Sequence, residues 1–116
     1  MVAEEMARWR DRLKKTASDT TLSVLCDRVP PKERWYVQRV AVRNNTTDNA
    51  DVEVGIETGG YFHVLYFFKN LTVNEWGSQP LEVWLLEGEY LRFDWSGIVS
   101  SEVVEAHITG VKRFKE

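Results

Sequence analysis

The chain has 116 residues and a single cysteine, Cys26, so no disulfide can close within it. Its stability does not depend on an oxidising compartment, which suits a protein made in the cytosol. Long apolar runs are also missing, and none approaches the ~18 residues needed to cross a bilayer. The opening MVAEEMARWRDRLKK is charged throughout and lacks the apolar stretch of a secretory signal. Neither secretion nor membrane insertion is expected, and the N-x-Thr sequons at Asn44, Asn45 and Asn70 read as turn chemistry. The two histidines, His63 and His107, stand in no His-x-His or His-x-x-x-His spacing, so no metal and no cofactor is expected. No glycine-rich phosphate loop and no G-x-S-x-G elbow occurs. Cys26 reads as a small buried hydrophobe rather than a nucleophile. Glu87 and Glu89, flanking Gly88, read as a tight solvated turn rather than a glycosidase acid pair. The expectation is a protein that is not an enzyme.

What is present is an ordinary globular balance, 43% hydrophobic and 28% charged, in a length that suits one domain. The formal net charge is −3. Residues 1–34 hold eight Lys/Arg and six Asp/Glu, whereas 35–100 hold four and nine. That tally disfavours phosphate binding by the main body, so no direct nucleic-acid partner is expected. Arg8, Arg12 and Lys15 form a basic patch that is either solvated or set against an acidic neighbour.

Along the chain, Met6, Trp9 and Leu13 recur at spacings of three and four, which predicts an amphipathic helix over 3–16. Glu4 and Glu5 open it and Lys14 and Lys15 close it, an order that suits the helix dipole. This divides the chain into an N-terminal helix or arm, 1–18, and a β-sandwich domain, 19–116. Beyond Thr20 the period changes, and β-branched and aromatic runs are punctuated by Gly, Pro, Asn and Asp. Strands are expected near 20–29, 34–43, 51–58, 61–68, 80–86, 89–94 and 102–113, with a possible short one at 71–76. The fold class is therefore all-β: a single jelly-roll-like antiparallel β-sandwich of seven to eight strands with a short N-terminal α-helix.

Gly59-Gly60 between two strand-like runs predicts a two-residue turn with positive φ at both positions. Counting outward from it places Ile56, Val54 and Val52 opposite His63, Leu65 and Phe67, on the core face. The other face then carries Phe62, Val64, Tyr66 and Phe68, an apolar surplus that needs a cover. A three-residue loop would exchange the two sets. These four residues are the expected protein interface. Met6, Trp9 and Leu13 are a second expected interface, as helix anchors in a neighbour's groove. The 12% aromatic content also admits a carbohydrate-binding module with Trp76, Trp84 or Trp95 as a stacking platform.

A short charged N-terminal helix, then TDNADVEVGIETGGYFHVLYFF, PLEVWLLEGEYLRFDWSG and the late glycine of AHITGVKRF, resembles the small jelly-roll virion structural proteins of tailed bacteriophages. The resemblance spans about residues 20–113. It implies a capsid decoration, auxiliary or head–tail protein with no catalytic residues. Its partners would be itself, as a homo-oligomer, and other virion proteins. Its location would be the virion, assembled in the host cytoplasm.

Overall fold

A computed structural model describes residues 4–115, all-β, as two four-stranded antiparallel sheets packed face to face. The strands are β1 Glu4–Thr16, β2 Thr21–Leu25, β3 Glu33–Asn44 and β4 Ala50–Thr58, followed by β5 Tyr61–Leu71, β6 Gly77–Leu85, β7 Tyr90–Ser96 and β8 Val103–Lys115. One sheet runs β1-β8-β3-β6 and the other β2-β7-β4-β5.

The predicted N-terminal helix is absent, and that segment is strand β1, paired with β8 from Glu4↔Lys115 to Thr16↔Val103. Spacing explains the error. Trp9 and Leu13 are four apart, an even step that puts them on one face of a strand as well as of a helix. Met6 lies an odd step from Trp9 and separates the two readings. Trp9 is 2% exposed in the core while Met6 is 62% exposed on the outer face. The eighth strand is therefore the N-terminal segment, while 71–76 is the end of β5 and a turn.

The inner faces read as alternation. Val37, Val40, Val42, Val104, Ala106 and Ile108 from one sheet meet Val52, Val54, Leu91, Phe93 and Trp95 from the other, all buried. Trp9 and Trp35 pack at a tilt with ring centroids 4.9 Å apart near one end, with the Lys112 ammonium 4.0 Å from the Trp35 ring centroid. Gly110 sits opposite Val37, where β3 carries an irregularity before Arg39. A Cβ there would lie 1.9 Å from the Tyr36 carbonyl oxygen, so the strands approach too closely for any side chain.

One buried acid organises the loops. Glu102 is fully buried, and its carboxylate accepts hydrogen bonds from the Thr46 N–H, the Thr47 N–H (3.1 Å), the Thr47 hydroxyl and the Val99 N–H (3.4 Å). Burial opposes its charge, but these donors together hold its carboxyl below the ordinary value. The loop 45–49 is thereby tied to the start of β8.

Candidate functional site

The most apolar exposed stretch is β5, an edge strand whose one side pairs with β4 and whose other side lies at the end of the sheet. The turn before it matches the expectation from Gly59-Gly60, with φ of +56° and +85° and Thr58 opposite Tyr61. Ile56 lies opposite His63, also as expected. The register then shifts, because Gly55 pairs with Val64 while Val54 pairs with Tyr66, leaving Leu65 as the extra residue of a bulge.

That one residue reverses the parity beyond it. Phe68 lies opposite Val52 and is 6% exposed in the core, so it is not part of an open face. Phe67, expected inside, lies opposite Glu53 and is 40% exposed. Of the expected interface set, Val64 and Tyr66 are exposed, Phe62 is half-buried, and Leu65 and Phe67 join the exposed group. Tyr66 makes an edge-on contact with Phe68, ring centroids 4.7 Å apart.

The half-burial of Phe62 has a backbone cause. Its ring covers Gly55, where an added Cβ would meet Phe62 at 2.8 Å and the His63 carbonyl oxygen at 2.1 Å. The Arg92 guanidinium lies 4.7 Å above the same ring and binds Asp94 (2.8 Å) and Glu57 (3.5 Å). Tyr90 donates its hydroxyl to Glu57, which pushes its own pKa up. Phe62 is thus engaged within the molecule, and the accessible apolar strip is Val64 to Phe67.

The other expected site residues scatter. Trp9 and Leu13 face inward and Met6 faces outward, so they form no common docking stripe. Lys15 also leaves the expected basic patch, since its ammonium reaches the Ser23 carbonyl oxygen at 3.1 Å. Trp95 is fully buried in the core of the β2-β7-β4-β5 sheet. Trp76 and Trp84 are exposed on the opposite sheet's outer side but stand eight residues apart, about 26 Å along an extended chain. Trp95 is thereby removed as a sugar platform, and Trp76 and Trp84 stand as separate exposed rings.

Cys26 is buried, and burial pushes its thiol pKa up to about 12, which leaves it unreactive as a nucleophile. Glu89 accepts a hydrogen bond from the Leu86 N–H at 2.7 Å and so closes its own turn. His107 packs at a tilt against Trp76, ring centroids 4.4 Å apart, with Glu105 3.8 Å away. Among the described residues, no three His, Cys, Asp or Glu side chains are grouped to hold a metal ion.

No family model matches the sequence, and no curated protein matches it. Solved structures do superpose on the chain. A chain of the Bacillus endospore appendages, described as a family of disulfide-linked pili, superposes with a TM-score of 0.57 at 10% identity, covering 97% of this chain and 89% of that one. The Drosophila NLP core, described in terms of pentamer formation and histone binding, gives a TM-score of 0.47 at 14% identity, covering 91% and 97%. A chain of infectious bursal disease virus, Gt strain, gives 0.42 at 11% identity, covering 99% of this chain and 32% of that one. The first of these likenesses establishes a common β-sandwich fold.

Proposed function

We propose that the chain is a non-enzymatic structural protein that self-associates through the β5 edge. The observation that carries this reading is the run Val64, Leu65, Tyr66 and Phe67, large apolar side chains left exposed beside the unpaired backbone of an edge strand. Such an edge is a template for another strand. The strand order, β1-β8-β3-β6 facing β2-β7-β4-β5, supports a jelly roll, with eight strands in two four-stranded sheets. The sequence resemblance described above supports placement in a phage virion, as a decoration, auxiliary or head–tail component assembled in the host cytoplasm. The pilus likeness supports an assembling protein only at the level of fold.

Magnitude decides what kind of association to expect. Each of the four side chains is already more than half covered, so completing its burial contributes about 1 kcal/mol. Two copies bring eight such side chains, and the sum of about 8 kcal/mol falls within the ~4–15 kcal/mol that association costs. One such contact therefore makes a weak dimer, and stable assembly needs edge hydrogen bonds or several contacts at once.

Light scattering across a concentration series tests this. The wild type is expected to gain mass with concentration, and Val64→Lys/Phe67→Lys is expected to remain monomeric with an unchanged unfolding midpoint. A wild type that stays monomeric at millimolar concentration, or a double variant that assembles equally well, overturns the proposal.

A further inference from the structure

The outer face of the β1-β8-β3-β6 sheet gathers positive charge from three strands. On β1, Arg8, Arg10, Arg12 and Lys14 all point outward, alternating with the inward Trp9, Asp11 and Leu13. The pairing register places Arg34, Arg39 and Arg43 of β3 and Arg113 of β8 on the same face. Among the described side chains Glu82 and Glu105 share this face; Glu105 is bound to Arg43 at 3.0 Å and Arg113 is engaged as well, which leaves six of the eight cations, Arg8, Arg10, Arg12, Lys14, Arg34 and Arg39. Like charges this dense raise the energy of the face until a polyanion lies on it.

A second copy of the chain is a poor match. The outer face of the other sheet offers Asp51, Glu53, Glu57 and Asp94, but Arg92 already holds Glu57 and Asp94. Two carboxylates do not answer the six cations that remain.

Spacing and aromatics favour a particular polyanion. Successive outward residues on a strand are two steps apart, about 6.7 Å, close to the separation of phosphates in an extended single strand. Trp84 packs at a tilt against Tyr36, ring centroids 4.9 Å apart, and with Met6, Val111 and Arg113 lines a shallow apolar depression of about 170 Å³, the Arg113 guanidinium 5.3 Å from the Trp84 ring centroid. A larger depression of about 480 Å³ beside it is lined by Arg8, Arg10 and Thr109. Toward the other end of the face, Trp76 lies exposed with the Arg43 guanidinium 4.6 Å from its ring centroid. Cations in rows with accessible rings between them are the means by which proteins hold single strands without reading sequence.

We infer that this face binds an extended single-stranded nucleic acid, with the β1 arginines on its phosphates and Trp84 beneath a base. Binding uses the face opposite the β4-β5 sheet and does not need the β5 edge. The interaction is sequence-tolerant and weakens steeply with salt.

Fluorescence anisotropy with labelled oligo-dT and oligo-U of about 20 nucleotides tests the inference at NaCl from 50 to 200 mM. Saturable binding is expected, with log K falling against log salt at a slope of about −3 to −4, as four to six phosphate contacts require. Arg10→Glu/Arg12→Glu should weaken binding at least tenfold and flatten that slope by about 1 to 1.5. Trp84→Ala should weaken it about 5- to 100-fold and leave the slope unchanged, and Glu53→Gln on the opposite face should change nothing. All these positions are at the surface, and matched circular dichroism spectra exclude misfolding. No saturable binding at 50 mM NaCl, or binding unaffected by both basic-face and Trp84 variants, overturns the inference. So does equal competition by polyglutamate with Trp84→Ala silent, which would assign the face to an acidic protein.

Discussion

Phe68 of β5 lies directly opposite Val52 of β4, with both side chains in the core, although a count from the Gly59-Gly60 turn sets Phe67 there. The displaced residue is Leu65, carried in a bulge between the pairs Val54↔Tyr66 and Gly55↔Val64. The bulge decides which aromatic supports the fold and which is available for contact.

Phe68→Ala should therefore destabilise the protein by about 3–5 kcal/mol, the usual result of removing a buried ring. Phe67→Ala should shift stability by about 0.5 kcal/mol or less. Urea denaturation of the two variants checks this, and equal losses would mean that the bulge is absent in solution.

The same logic separates strand from helix at the N-terminus. Trp9→Ala should cost about 3–5 kcal/mol, while Met6→Ala, on the outer face, should cost about 0.5 kcal/mol or less. A helix docked by both residues would make both substitutions costly, and far-ultraviolet circular dichroism would show its minimum near 222 nm.

Glu102 gives the fold a dependence on acid. Its carboxyl titrates below the ordinary value of 4.5, so its contribution is complete above that value and is lost as pH falls through the lower, folded one. Glu102→Gln should lower stability at neutral pH by about 1–3 kcal/mol, because an amide nitrogen would replace one acceptor oxygen and face a backbone N–H, that of Val99 or those of Thr46 and Thr47. Unfolding midpoints measured from pH 7 to pH 3 should converge for the two proteins at the acid end. A constant gap would remove Glu102 as the titrating group.

Much of the architecture is visible in local chemistry. The glycine pair forces one turn geometry, the alternation of Val52, Val54 and Ile56 marks a core face, and seven strands fall near their expected places. Three features were hidden, each for a physical reason. A bulge such as that at Leu65 has no composition of its own, since only the pairing of two strands defines it. The four-residue step from Trp9 to Leu13 serves both helical and extended periods, and the partner that selects the extended one, β8, lies about a hundred residues away in sequence. The basic face was lost by counting along the chain, because a segment tally averages the two sides of every strand. Arg39 and Arg43 lie in a stretch that is acidic overall, yet the pleat and the register carry them beside Arg10 and Arg12.

The separation of Arg8, Arg10 and Arg12 from Asp51 and Glu53 onto opposite outer faces makes the sandwich an electric dipole across its thin direction. The sheets pack about 10 Å apart and the outward side chains extend beyond them, so these charges are separated by more than the Debye length of ~10 Å at 0.1 M salt and each face presents its own sign. Near a charged surface the molecule feels a torque before it feels a contact, and it arrives arginine side first at an anionic one. Raising the ionic strength to about 1 M shrinks the screening length to ~3 Å and abolishes that orientation, leaving approach from any direction equally probable.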